Sequence, residues 1–518
     1  MDAIDLSIFS NRIDAICEEM GVVIRRTAFS PNIMDRLDFS CAIFDSNGHL
    51  CAQAAHIPVH LGSMAFAMSS IVNQQQWRCG DMLILNDPYL GGTHLPDITL
   101  IAPLFIKGIL CAFIVNRAHH ADIGAETPGS MPISKSLSEE GLIIPPTYLL
   151  RDNEVDELIM SELIANTRHP RQARGDFIAQ ISANRIGVDR LRTLIEKMSI
   201  AVFENALKDL NEYAERLSLS MLRTLPNGTY GAVDYMDDDG LGHENLAIKV
   251  QIEVHEDHVV VDFDGSAEQV EGNINCPLSV TAAAVYYVFR CLMPDYTPAC
   301  DGSFRLIQIK APQASILNAN RPAAVAAGNV ETSTRLVDVL LLALSKKAIP
   351  DSIPAASHGS MNNLAMGSVV AGQSWDYYET IGGGMGASLV GHGQDAVQTH
   401  MTNTLNTPLE VLEQRYPLRL HRYAIREDSG GSGKNKGGDG IVREFEFLKP
   451  TQITLLTERR LNAPWGLAGG KNAKPGVNSI NGKIMPGKIS KQVDQGDRLI
   501  VETPGGGGWG RPNNRVHG

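Results

Sequence analysis

The chain has 518 residues and a net charge of −13, with 43% hydrophobic and 20% charged residues. That length exceeds what one compact core serves, so two or three domains are expected, and the composition is globular rather than disordered. The acidic balance, without any run of lysines or arginines, argues against a nucleic-acid binder, because phosphate contacts need a basic surface.

The first six residues, Met1-Asp2-Ala3-Ile4-Asp5-Leu6, place acid where a secretory signal places positive charge and an apolar core. No apolar stretch reaches membrane-spanning length, and the eight cysteines form no C-x-x-C pair. A cytoplasmic protein with reduced, mostly buried thiols is expected. From Leu6 to Phe29, Ile8, Ile13, Ile16, Met20 and Val23 recur at helical spacing. Asp38 to Leu50 reads as a hairpin, a strand followed by the turn Asp45-Ser46-Asn47-Gly48. Strands are expected at Met82 to Leu85, Ile98 to Phe105 and Leu110 to Val115, then long amphipathic helices over 154–218. Beyond Leu225-Pro226-Asn227-Gly228 the pattern alternates as in His258 to Asp264, with buried helices at Ser279 to Met293 and Ser333 to Lys347. The last third is rich in glycine, with short strands such as Ile453 to Thr457. The sum is a mixed α/β (α+β), multi-domain chain, divided at 1–220, 221–370 and 371–518. The last of these regions is expected to be β-rich and glycine-rich.

Two stretches carry most of the chemistry: Asn86-Asp87-Pro88-Tyr89-Leu90-Gly91-Gly92-Thr93-His94-Leu95-Pro96-Asp97 and Asn116-Arg117-Ala118-His119-His120-Ala121-Asp122. Each follows a strand-like run and brings imidazole and carboxylate within three residues, the mixed nitrogen and oxygen set that divalent metals take. Asp38, at a strand start, is a third candidate, with Asp87 and Asn116 placed to orient the histidines from behind. Turn formation by Asn-Asp-Pro and hydrogen bonding by paired histidines explain either stretch alone. Two within forty residues favour the metal.

Other features carry less. Gly382 to Ala387 can be forced to G-x-G-x-x-A, but no acidic residue follows at ribose distance. Gly430-Gly431-Ser432-Gly433-Lys434-Asn435-Lys436-Gly437 lacks the hydroxyl residue after the lysine of a phosphate loop, and reads as a mobile surface loop. His56, His60, His358, His392 and His400 are solitary. Asn273-Ile274-Asn275 and Ala327-Gly328-Asn329-Val330-Glu331-Thr332-Ser333 read as polar loops opening onto helices, able to bind a small substrate or merely to cap.

With these stretches assembled, the chain resembles the hydantoinase B/oxoprolinase family. The resemblance rests on Arg36-Leu37-Asp38-Phe39-Ser40-Cys41-Ala42, the two histidine stretches through Gly124, Gly272 to Asn275, Ala327 to Ser333, and Thr503-Pro504-Gly505-Gly506-Gly507-Gly508-Trp509-Gly510. It spans essentially the whole chain. Gly124-Ala125 departs from the usual Gly-Gly.

The resemblance implies a B-type subunit that holds zinc or manganese, with iron also open, while an A-type partner binds ATP and phosphorylates a small cyclic amide. Carried over, the metal ligands are Asp38, His94, Asp97 and His119, and His120 and Asp122 are the catalytic candidates for relaying a proton. The metal would lower the pKa of bound water from ~15.7 to about 7, so that hydroxide attacks the activated ring. The same resemblance allows an ATP-dependent ketone carboxylase subunit, and a non-catalytic scaffold for the ATP-binding partner is the reading from another class.

Overall fold

The computed structural model describes residues 1–54, 57–346, 349, 351–370 and 373–512. His56, the Lys347 end of one expected helix, and residue 371 lie outside them. The N-terminal helix α1 (Ala3–Thr27) starts where Asp2 accepts a hydrogen bond from the Asp5 amide. It buries Phe9, Ile13, Ile16, Met20 and Ile24, one stripe at helical spacing. After the short turn α2 (Pro31–Met34) comes a seven-stranded sheet. Its strands are β1 (Phe39–Asp45), β2 (Leu50–Ala54), β3 (Met82–Leu85), β4 (Asp97–Ile106), β5 (Ile109–His119), β6 (Thr147–Arg151) and β7 (Glu154–Val155). They are ordered β2-β1-β5-β4-β3-β6-β7 with every pair antiparallel.

Both faces of this sheet are covered. Helices α4 (Glu157–Ala165), α5 (Pro170–Met198) and α6 (Ile200–Leu222) join α1 in one core with Ile98, Leu100 and Ile114. The opposite face, with Phe113, Val115 and Ile101, packs on helix α3 (His60–Ile71) through Met64, Ala67 and Met68. The sequence pattern does not announce α3, because an apolar run with most of its described side chains buried has no amphipathic period. Alternate residues of β5 therefore face α5 and α3 in turn.

A second sheet joins β8 (Gly228–Asp238), β9 (Glu244–Val254), β10 (Val259–Asp262) and β11 (Ile307–Lys310), antiparallel except for β10 with β11. Helices α7 (Leu278–Leu292) and α8 (Ser333–Ser345) share its core. Strands β12 (Asn363–Val370) and β13 (Gln373–Glu379) open a third sheet. Helix α9 (Leu409–Arg415) leads into β14 (Leu418–Arg426), β15 (Gly440–Phe447) and β16 (Thr451–Leu456). Then come β17 (Val477–Ile480), β18 (Lys483–Met485), β19 (Lys488–Val493) and β20 (Arg498–Glu502). The third sheet runs β13-β12-β16-β19 and a fourth runs β14-β15-β20-β17-β18. The architecture is thus mixed α/β with several sheets, as expected. The second and third sheets are tied by Arg459, which pairs with Asp234 of β8 at 2.9 Å and with Asp338 of α8, and by Glu458, which takes Arg335 and Lys488.

One expectation is corrected. The stretch Gly430 to Gly437 is not a mobile surface loop. Its backbone locks onto the terminal glycines, with Gly431 N donating to Gly506 O at 2.8 Å and Asn435 N to Trp509 O at 3.0 Å. A Cβ at Gly437 would stand 1.8 Å from Gly506 O, so glycine is there for close backbone approach. All eight cysteines are free, and only Cys79 and Cys291 are exposed. Among the described residues no helix is long and apolar enough to cross a membrane.

Candidate metal centre

Antiparallel register builds the centre. Asp97 is the first residue of β4 and His119 the last of β5, and the two are direct cross-strand partners. Such pairs hold their side chains close together on one face of the sheet. Here it is the face toward α3. His94 arrives on the loop before β4, where Gly91 takes φ +91° and a Cβ would stand 2.2 Å from the Ala67 backbone, so the loop lies flush on α3. Asn86 staples this loop, donating to Leu95 O and Leu142 O at 2.8 Å and accepting from Ile144 N at 2.7 Å.

His94, Asp97 and His119 each offer a ligating atom within 4.8 Å of the other two, and all three are buried. Asp97 Oδ1 and His119 Nε2 have no hydrogen-bond partner, and His94 faces Asp97 through Nε2, 3.5 Å from Oδ2. Buried polar atoms are almost always paired, so two orphans beside a second imidazole on converging ligand-type side chains fit a cation. Burial, then the neighbouring His94, pushes the His119 imidazole well below its ordinary pKa, keeping it neutral. Burial by itself would raise Asp97, but His94 and His60 outweigh it and hold this carboxyl well below the usual range.

The surroundings fix these groups. Asn32 Nδ2 lies 3.1 Å from His119 Nδ1, and Tyr378 of β13 stacks on the same ring at 5.1 Å and 4°. His60 Nε2 approaches Asp97 Oδ2 at 3.4 Å while its Nδ1 meets Ser40 Oγ at 2.9 Å, and Thr93 donates to Asp97. Asn329 Nδ2 donates to His94 Nε2 at 3.1 Å. A small cavity of about 20 Å³ opens here, walled by Asp38, His60, Asp97, His119 and Asn329 with Ile57, Val59, Val330 and Met361.

The six residues picked out in the sequence are therefore divided. His94, Asp97 and His119 converge. Asp38 lines the same cavity, outside the tight trio, and burial pushes it up to about 6 against the pull of Arg36. His120 and Asp122 are not brought to the trio. Side chains alternate across a strand, so the residue after His119 turns to the α5 face. There His120 Nε2 meets Gln180 Oε1 at 2.9 Å and its ring rests on Phe177. Asp122 is engaged by the Arg168 and Gly124 amides at 2.6 and 2.8 Å and by Ser130 Oγ at 3.1 Å. Both line a separate, small pocket of about 10 Å³ with His169, Asp176 and Asp376.

Asp87 and Asn116 do not back the histidines either. Asp87 caps Tyr89 N and pairs with Arg321, and Asn116 Nδ2 donates to Gln180 O and Asn184 Oδ1 at 2.8 Å. The groups that do back them, Asn32, His60, Asn329 and Tyr378, come from four separate segments. Only Asn329 stood in a stretch the sequence marked. His60, Asn32 and Tyr378 sit in no pattern that spacing could reveal.

The site thus brings two imidazoles and a carboxylate together, buried, in a mixed α/β chain. Residues 2–512 match the family model described as hydantoinase B/oxoprolinase, and the chain belongs to that family. It is 41% identical to 5-oxoprolinase 1 of Arabidopsis thaliana over 98% of this chain, but spans only 42% of that protein. It is 31% identical to a putative B-type subunit of a D-/L-hydantoinase from a Pseudomonas species, covering 99% of this chain and 91% of the relative. The fold matches the crystal structure of ATP-dependent caprolactamase from Pseudomonas jessenii with a TM-score of 0.92 and 27% identity, covering 99% and 92% of the two chains.

Proposed function

We propose that this chain is the B-type component of an ATP-coupled cyclic amide hydrolase, holding a divalent ion on His94, Asp97 and His119, with Asp38 as a further ligand. The observation that carries the reading is the convergence of three buried ligand side chains, with unpartnered atoms on Asp97 and His119. Its relatives support the reaction class, since those named here are an oxoprolinase, a hydantoinase subunit and a caprolactamase. The match to nearly a whole B-type hydantoinase subunit, against two-fifths of an oxoprolinase, supports an A-type partner that binds ATP and activates the amide. Zinc, manganese and iron all suit the donor set.

When bound, the ion supplies a Lewis acid that polarises oxygen and acidifies water near neutrality. The residues of the chain prepare the place. His60 and Thr93 hold Asp97, Asn32 and Tyr378 hold the His119 ring, and Ile57, Val59, Val330 and Met361 keep bulk water away. His120 and Asp122 belong to the wall behind, and their work is to fix the end of β5 against α5.

Metal analysis of the purified chain tests the reading, with His94→Ala and Asp97→Ala alongside. About one equivalent of zinc, manganese or iron is expected in the wild type and none in either variant. A folded wild type that takes up none of the three ions after incubation with each sinks the proposal. Ring opening that needs ATP, the A-type subunit and the metal-loaded chain together is the expected activity.

A further inference from the structure

The two polar motifs outside the histidine stretches meet in the fold. Asn275 Nδ2 donates to Gly272 O and Ala324 O at 2.8 and 3.0 Å, Gly328 N to Asn273 O at 3.0 Å, and Thr332 Oγ1 to Ile274 O at 2.5 Å. A Cβ at Gly328 would stand 1.9 Å from Asn275 O, so the two loops touch backbone to backbone. Their interlock produces a π-turn, Gly328–Thr332, directly ahead of α8. Such widened turns interrupt helical regularity and recur where a side chain has to be re-aimed at a functional site.

The side chain aimed here is Asn329. It is 4% exposed, forms part of the cavity wall, and gives its Nδ2 to His94 Nε2 at 3.1 Å, while its Oδ1 has no partner. Helix capping does not explain it, because no side-chain bond caps this turn. His94 Nε2 also lies 3.5 Å from Asp97 Oδ2, so it faces the trio. Once that lone pair is given to a cation it no longer accepts a hydrogen bond, and a buried amide donor is left facing the cavity. Buried donors need an acceptor.

We propose that Asn329 is a substrate-binding residue whose side-chain amide donates to the oxygen of the ligand docked at the metal centre. This rests on the metal reading above and adds to it the group that grips the reacting oxygen. A fixed amide donor aimed at oxygen is also how sites stabilise charge that develops there, without reorganising.

The test uses the full chain loaded with Co²⁺, whose visible spectrum reports a ligand docking beside the ion, titrated with inorganic phosphate as an oxygen donor. Asn329→Ala is expected to hold cobalt with an unchanged phosphate-free spectrum and to bind phosphate about tenfold more weakly. Asn329→Asp, equal in volume, is expected to bind it more weakly still, because a carboxylate would face the anion. Wild-type phosphate affinity in both variants overturns the inference, as does loss of cobalt from both, which would make Asn329 a support for the ligands. A wild type that binds cobalt but ignores phosphate also overturns it and leaves the metal reading standing. A wild type that takes up no cobalt overturns both.

Discussion

Two buried polar clusters in this molecule are satisfied in opposite ways. Where the second and third sheets meet, each carboxylate has a cation. Arg459 reaches Asp234 and Asp338, and the two oxygens of Glu458 take Arg335 at 3.0 Å and Lys488 at 2.6 Å. In the cavity beside α3, Asp97 meets two imidazoles and the Thr93 hydroxyl, and His94, Asp97 and His119 each keep one atom without a partner. The first cluster gives every carboxylate a cation and joins two sheets, although Nε of Arg335 and of Arg459 keeps no hydrogen-bond partner. The second closes only with a cation from outside. Buried charge by itself is thus a poor guide to function, and whether each carboxylate has its own cation is the better one.

Breaking the ion-paired cluster is expected to have the largest effect. Arg459→Met leaves Asp234 and Asp338 buried without their guanidinium, which should cost about 3–5 kcal/mol of stability in denaturant unfolding. Metal uptake by the fraction still folded should not change. In the open cluster the effect falls on the ion. Asp97→Ala should weaken metal binding by at least about 100-fold, read by competition with a chelator. Asn32→Ala, which frees the His119 ring from behind, should cost about tenfold in metal affinity.

A pH series sharpens the contrast further. Asp38 sits at about 6 against an ordinary 3.8, so its raised carboxyl favours the folded state below pH about 4. That contribution is lost as pH rises through 6. Unfolding of the ion-free chain should show this loss, and Asp38→Asn should flatten it. The smallest effect belongs to His120→Ala, for which metal content should equal the wild type. A His120 variant that loses the ion would mean that the two faces of β5 are not separate.

The general architecture was legible because it depends on periods. The stripe of α1, the hairpin from Asp38, the helices over 154–218 and the sheet after Pro226 all follow from spacing that one segment carries within itself. Helix α3 was not, since most of its described side chains are buried and no amphipathic period betrays it. The histidine stretches pointed to the right neighbourhood. They could not separate His119 from His120, because the difference lies in strand alternation, and β5 runs four residues beyond the apolar stretch ending at Val115. The backing groups His60, Asn32 and Tyr378 come from three distant segments, and nothing local in a chain records which segments will meet.

The pairing of Asp97 with His119 has a mechanical consequence. The hairpin of β4 and β5 is closed at its far end by Lys107 and Gly108, both at positive φ, with a single irregularity at Leu104 and Phe105. That tip is open, with nothing within 4 Å of where a Gly108 side chain would start. By ordinary criteria it would be a safe place to insert a residue or attach a label. Yet the two strands act as a pair of rulers held at this end. A one-residue slip would carry along roughly 30 Å of ladder and turn an imidazole or a carboxylate to the wrong side of the sheet. The most permissive point on the surface of this hairpin is therefore also its calibration point, and any error made there is read out at the buried end.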